Sequence, residues 1–321
     1  VMARMAKGYK SKLVLGFESE YGKLPASGKG YNMPFNSFSP SLTRSLNAAE
    51  TISGTRNPKE PFVGNSDVSG DIVVPVDLVA FGYWLRGVFG APVTSGEPDG
   101  PYTHLFKVND ELESMWFQTY LATSPASYVL TNGVKLSTMA IEVGGDGELT
   151  STFGTMGSNQ SLSAESKISS ITEVPFLRLN NYQATLKIDG QDYGDATAFS
   201  INIDNGLDGD TFTIGGGGTR GDIGEGLAAV SGSITVLFKD SSLVADALSG
   251  RKKGGELVFT RPEGSLSFGF QEFLFQAKTP EISGPAGIRL PLDWQAFYEE
   301  GSNQSALTAS LVNTHASYAD A

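Results

Sequence analysis

Few side chains in this sequence have both the type and the spacing for chemistry. Its two histidines, His104 and His315, lie far apart in the chain. A zinc centre or a nucleophilic triad built on either would need partners that no nearby motif supplies. His104 stands in PYTHLF, a context that predicts a strand or strand edge. Gly215 to Gly218 form a GGGG run with no GK[ST] after it and no strand-to-helix step around it. It therefore reads as loop rather than phosphate cradle. The stretch DNGLDGD, Asp204 to Asp210, looks like a calcium loop only at first sight: its carboxylates are wrongly spaced, and no bidentate glutamate closes it at the twelfth position. Asp110, Glu111 and Glu113 in NDELES carry no mark that separates an acid from a base, as glycoside hydrolysis requires, and they read as solvated surface. Arg251-Lys252-Lys253, directly after a helix-like segment, reads as cations complementing a helix dipole, or as a contact for an acidic neighbour. The sequence predicts no catalytic, cofactor-binding or metal-binding residues and no enzyme.

Composition narrows the class further. The chain has 321 residues and no cysteine, which excludes disulfide staples, thiolate metal sites and cysteine nucleophiles. Its 39 glycines, 19 phenylalanines and 11 tyrosines fit many strands joined by tight turns, hence a mainly β fold. The net charge of −12 is the reverse of what gripping DNA phosphates requires. The charge is also uneven: Asp189 to Glu225 holds eight carboxylates and one arginine, whereas the first twelve residues hold four cations and no acid. That basic start lacks an apolar core, and no run approaches the ~20 apolar residues of a membrane span. The expectation is a soluble chain without a membrane anchor, made in the cytoplasm.

The elements that would position any site are mostly strands. YQATLKID alternates Tyr182, Ala184, Leu186 and Ile188 against polar neighbours. Met139, Ile141 and Val143 do the same, as do Leu149, Ser151 and Phe153, with VGGDGE between these two runs reading as a hairpin turn. Phe199, Ile201 and Ile203 make a further alternating run. In SFGFQEFLF the phase slips between Phe270 and Phe273, which predicts a β-bulge. Two short helices are predicted, one presenting Leu78, Phe81, Gly82 and Leu85, the other Leu243, Val244, Ala247 and Leu248. Trp84, Trp116 and Trp294 read as core or interface anchors. The polar segments Leu24 to Pro61 and Asp204 to Leu227 exceed ordinary connections, so they and the basic N-terminal arm are expected to be mobile until a partner orders them.

An internal repeat organises these elements. VSGDI at Val68 to Ile72 returns as VSGSI at Val230 to Ile234. Each is preceded by a Phe-led alternating run, from Phe35 and from Phe199, and followed by a helix-like segment ending in Gly87 or Gly250. The chain is read as two tandem β-sandwich units, each with one short flanking helix and long loops. They span residues 1–170, with the N-terminal arm, and 171–321, and meet near the polar stretch Ser158 to Glu173.

The order EYGKLP, a polar arm, VSGDIVVP, a helix ending LRGVFG, PYTHLF, and then LTNGVKLSTMAIEVGGDGELTSTF resembles the tail tube proteins of long-tailed, non-contractile bacteriophages. The likeness covers most of the first copy and, more faintly, the second. It implies sandwich units whose inner sheets join around a ring, with rings stacking into the hollow tail tube that conducts DNA into the host. A duplicated subunit would complete the usual six units with three chains; hexamers of chains are the other arrangement. Tail-tip proteins, a terminator or head-tail connector and a tape measure protein in the bore are the implied partners, in a virion assembled in the host cytoplasm. About four strands from each of six units gives roughly 24 strands, ~4.8 Å apart and tilted ~40°, hence a backbone diameter near ~48 Å and a bore of about 35–40 Å. Glu142, Asp146, Glu148, Glu272 and Asp293, on or beside the strands that would line such a barrel, are the expected acidic lining. A secreted carbohydrate-binding or carbohydrate-cleaving β-sandwich and a capsid-decoration protein are the other classes this composition fits.

Overall fold

The computed structural model describes residues 5–24, 28–98, 100–282, 284–298 and 305–319, so residues 1–4 of the basic arm lie outside it. The chain is mainly β. Its first half contains β1 (Lys12–Phe17), β2 (Lys29–Met33), β3 (Ser37–Phe38), β4 (Ser41–Asn47), β5 (Phe62–Pro75), α1 (Phe81–Phe89), β6 (Val93–Ser95), β7 (Tyr102–Lys107), β8 (Met115–Leu121), β9 (Ser127–Gly144), β10 (Thr150–Gly157), β11 (Asn159–Ser163) and β12 (Ser170–Glu173). The second contains β13 (Ala184–Ile188), β14 (Gln191–Asp192), β15 (Ala196–Asp204), β16 (Ala229–Leu237), α2 (Ser242–Ser249), β17 (Lys253–Arg261), β18 (Gly264–Phe275), β19 (Arg289–Phe297) and β20 (Thr308–Asn313). Both expected helices are present, but α1 begins at Phe81, so Leu78 precedes it rather than sharing its face. Asp77 starts the first by accepting hydrogen bonds from the backbone N–H groups of Val79, Ala80 and Phe81.

One long antiparallel sheet runs through both halves in the order β3 and β4 in line, β5, β10, β9, β15, β16, β19 and β18, eight strand positions in all. A second layer grows from two strands that change partners along their length. Up to Val134, β9 pairs with β8 and β11, and β8 leads on through β1 and β2 to β12. The first part of β18 pairs with β17 and β20, which lead on to β13 and to β7. The main apolar core spans both halves, and Val14, Trp116, Leu130 and Ile168 form a small second cluster. In the first, Trp84 of α1 stacks on Phe117 of β8 and Phe153 of β10, so one indole ties the helix to both layers. In the second, Trp294 of β19 stacks on Phe199 and meets Phe270 and Phe273 edge-on or tilted.

The pairing order is used twice. The run β3/β4–β5–β10–β9 is matched step for step by β15–β16–β19–β18, and β1–β8–β9 by β13–β17–β18. Register agrees as well. Ile72 faces Phe38 on one side and Phe153 on the other, and Ile234 faces Phe199 and Leu292. Val68 faces Leu42 and Gly157 where Val230 faces Ile203 and Ala296. The shared Gly of VSG has a packing reason in each place. A Cβ on Gly70, whose φ is +148°, would come within 2.7 Å of the Pro40 backbone, and one on Gly232 would lie 2.0 Å from the Ser200 carbonyl oxygen and 2.5 Å from the Trp294 ring.

The bulge in β18 lies where the phase slips, Phe270 and Phe273 facing Gly255 and Lys253. Elsewhere the structure departs from the sequence reading. The polar segment Leu24 to Pro61 contains β2, β3 and β4, and β4 shows no alternation because most of it is exposed on both faces. Tyr182 is exposed in a 3-10 turn, so the strand begins at Ala184. The polar stretch expected as a seam is not an open linker: it forms β11 and β12, paired to β9 and β2.

Candidate functional site

Two features stand out from the packed core: a broad polar sheet face, and the devices that tie the halves together. Along the long sheet, core residues alternate with small polar ones. On the side opposite the buried Val68, Ile72, Ile141, Ile201, Ile234 and Leu292, Thr152, Ala140, Asn202, Ser231 and Gln295 form one cross-strand row, Ser200 and Ser233 pair beside it, and Ser69 lies further along β5. Carboxylates punctuate this face at Asp71, Glu142, Asp204 and Asp293, all exposed, and at the half-buried Glu272, 3.8 Å from the Lys252 ammonium. Arg289 is a cation at a strand position of the same face. An open hollow of about 590 Å³ on this face is lined by Ser200, Asn202, Ser231, Ser233, Asp293 and Gln295, and such hydroxyls, amides and carboxylates suit a wetted wall.

Glu142, Asp293 and Glu272, three of the five residues expected from the sequence, fall on this face. Asp146 and Glu148 sit in the turn between β9 and β10 at the sheet's end, where Glu148 accepts a bond from Asn36 (2.8 Å) and pairs with Arg178 (3.0 Å). Asp71 and Asp204 were missed. The signal for both was available: Asp71 is the aspartate of VSGDI itself, and Asp204 continues the alternation of AFSINI.

The segment from Asp204 to Leu227, expected to await a partner, is held within the chain. Lys135, buried on β9, donates to the Ile223 carbonyl and to Glu225 at 2.7 Å each. Burial works to raise the Glu225 pKa, but the bonds from Lys135 and from the Leu112 N–H outweigh it and hold the carboxyl below its usual range. Arg220 bridges Asp67, the Gly157 carbonyl and the Gly209 carbonyl. Asn205 donates to the carbonyls of Val88 and Leu136, tying the loop to the last turn of α1. The loop is a strap of the second half across the first.

The C-terminal segment is another strap. Tyr318 is fully buried, its ring against Gly82 of α1, its hydroxyl donating to the Val79 carbonyl, and its own carbonyl accepting from Arg86. Asn313 donates to the Leu78 carbonyl. The two histidines, which the sequence leaves unrelated, meet here: His104 bonds the His315 carbonyl through Nε2, and His315 Nε2 lies 3.1 Å from the Tyr83 hydroxyl. Burial lowers both imidazole pKa values, and for His315 the neighbouring His104 lowers it further. The ring nitrogens of His104 are engaged by Thr94 and by the His315 carbonyl, so the pair is structural. Among the described residues no group of three or more His, Cys, Asp or Glu side chains could hold a metal ion.

The basic cluster after α2 is engaged too. Lys253 pairs with Asp189 and Asp246, Arg251 with Asp246, and Lys252 with Glu272. Trp84, Trp116 and Trp294 are all buried, as core anchors.

The family model described as phage tail tube protein matches residues 8–296. The chain belongs to the phage tail tube protein family. A search of the curated proteins finds no match. Membership in the tail tube family makes this a structural protein of the virion tail, one that assembles with itself into a tube and associates with other tail proteins. Among the described residues no helix is long and apolar enough to cross a membrane. The matched range ends within β19, so β20 and the Tyr318 strap lie beyond the part shared with the tail tube family model.

Proposed function

We propose that this chain is two tandem tube units, residues 1–170 and 171–321, and that three chains close each ring of a tail tube that conducts DNA. The observation carrying this reading is the doubled pairing order, with Ile72 and Ile234 at the same place in the same register. Eight strand positions per chain supply, in three chains, the roughly 24 strands of a barrel near ~48 Å across. Duplex DNA, about 20 Å wide, fits such a bore with a layer of water.

In this reading the polar face of the long sheet lines the bore, with Glu142, Asp293, Glu272, Asp71 and Asp204 turned inward and Asp146 and Glu148 at the rim. A cationic lining would bind phosphates along the tube, each contact adding affinity through counterion release and therefore friction. An acidic one repels the duplex only over about 8 Å at physiological salt. The tape measure protein would fill this bore before ejection, and terminator and tip proteins would cap the two ends. Native mass measurement of isolated rings tests the stoichiometry: about three times the 34.0 kDa chain mass is expected, and six chains per ring would contradict it.

A further inference from the structure

The sheet that crosses the molecule has one complete junction between the halves and two loose ends, and the first predicts how the others meet. Within the chain, β15 lies against the Thr138–Gly144 stretch of β9, with Ile203 opposite Met139, Asn202 opposite Ala140 and Ile201 opposite Ile141. The counterpart of β15 in the first half is the Ser37–Thr43 edge, since Phe38 and Leu42 face β5 as Phe199 and Ile203 face β16. The counterpart of Thr138–Gly144 in the second half is the stretch following β18. The β18–β19 register, Phe275 opposite Trp294, carried through the Gln276 N–H bond to the Asp293 carbonyl, sets Ala277 opposite Leu292 as Met139 is opposite Phe153. Gln276, Ala277, Lys278 and Thr279 are exposed and belong to no strand.

At the other end the edge is occupied in an unusual way. Ser39 donates its backbone N–H inward to Asp71 of β5. The Pro40 carbonyl and the Leu42 N–H belong to the alternate residues of an antiparallel strand, whose groups point away from that partner. Both bond the side-chain amide of Gln160, Nε2 to the Pro40 carbonyl and Oε1 from the Leu42 N–H, each at 3.1 Å. These groups correspond to the Ile201 carbonyl and the Ile203 N–H, which in the second half face β9. One amide thus does for the first half what a strand does for the second. Pro40, which has no N–H to offer a ladder, and Lys278 further discourage unplanned pairing at these edges.

We infer that the Ser37–Thr43 edge of one copy pairs antiparallel with residues 276–279 of the next, with Leu42 opposite Ala277 and Ser41 opposite Lys278, and that the Gln160 amide holds the edge until that strand displaces it. This rests on the tube reading given above and names its contact. In this register the Leu42 N–H meets the Ala277 carbonyl and the Thr279 N–H meets the Pro40 carbonyl, the two bonds Gln160 makes in the single chain. Ser41 and Lys278 form a non-hydrogen-bonded pair, the closer kind, with Cα atoms about 4.5 Å apart, within disulfide range.

The absence of cysteine makes the test clean. Ser41→Cys/Lys278→Cys and, as a second pair in the same register, Thr43→Cys/Gln276→Cys are assembled into tubes, oxidised and separated under denaturing, non-reducing conditions. Covalently linked trimers are expected from both pairs, and only monomers from each single variant or from the displaced pair Ser41→Cys/Gln276→Cys. Tubes that form normally while neither in-register pair crosslinks would overturn the contact and leave the tube reading standing. Failure of the unsubstituted protein to form tubes under the same conditions would overturn the tube reading and this contact with it.

Discussion

The two helices occupy the same step of the same pairing order and end in different surroundings. All nine residues of α1 are buried, whereas α2 buries Leu243, Val244 and Ala247 and leaves Leu248 59% exposed. Counting back from Gly87 and Gly250, Leu248 is the counterpart of Leu85, which is fully buried, and Ala245 that of Gly82. The difference comes from elsewhere in the chain. Beyond its packing on Phe117 and Phe153, α1 receives added cover from the second half, as the Asn205 bond to its last turn and the Tyr318 ring on its first, and α2 receives no matching strap among the described residues. A repeated strand order therefore does not fix how deeply an element is buried; long-range segments do.

The largest effect that would break this contrast is at the loop strap. With Lys135 replaced by methionine, Glu225, whose side chain is 17% exposed, keeps its desolvation cost and loses its cation. Removing one partner of a largely buried ion pair costs about 3–5 kcal/mol. Chemical unfolding of the monomer should show a loss toward the lower end of that range, together with rapid amide exchange from Asp204 to Leu227. A loss below about 0.5 kcal/mol would mean that the loop is not held by this pair.

A smaller effect is expected at Gly82→Ala. Alanine normally favours a helix over glycine by up to about 1 kcal/mol. Here its Cβ would lie 2.2 Å from the Tyr318 ring, and overpacking of that kind costs about 1–3 kcal/mol. Net destabilisation with release of the C-terminal segment is predicted, read as chymotryptic cleavage after Tyr318. The reverse change in the other helix, Ala245→Gly at an exposed position, should cost only the propensity difference and release nothing.

The smallest effect is acidic weakening of the same strap. His104 and His315 have pKa values below the ordinary 6.5 because they are buried, so the unfolded chain takes up their protons first as pH falls. Their contribution is present above about pH 6.5 and is lost as pH drops from there toward their lowered values. Asp77 acts in the opposite sense. Burial pushes its pKa up to about 6 from 3.8, so the folded state is relieved of a buried charge as pH falls through 6. Burial raises the Tyr318 hydroxyl pKa above its ordinary value, so that group keeps its proton over this range. Exchange of the Asn313–Tyr318 amides, corrected for intrinsic rates, should accelerate between pH 7 and pH 5, and more steeply in Asp77→Asn. Exchange independent of pH in both proteins would show that the histidines do not couple to the strap.

What could be read from the sequence was what local pattern encodes. Alternation placed Met139, Ile141, Val143, Phe199, Ile201 and Ile203 in the core, the phase slip at Phe270 marked the bulge, and the VSG repeat anticipated a register shared by Ile72 and Ile234. It failed where the partner was remote or the strand was wet on both sides. Ser41–Asn47 carries no apolar stripe because its faces are exposed. Lys135 and Glu225 are 90 positions apart, and His104 lies 211 positions from the carbonyl it bonds, so no spacing rule joins them. Of the acidic face, Glu142, Glu272 and Asp293 were legible because they lie on or beside well-marked strands, whereas Asp146 and Glu148 were drawn to the sheet's end by a turn whose positive φ angles fall on Gly144 and Gly145.

The central claim is that the polar side of the long sheet is the inner wall of a three-chain ring. A cryo-electron microscopy map of the assembled tube tests it most directly. The account predicts threefold symmetry approximating sixfold, with Asp71, Glu142, Asp204 and Asp293 of every chain facing the bore. A ring of six chains, or a bore lined chiefly by lysine and arginine with this face turned outward, would contradict it.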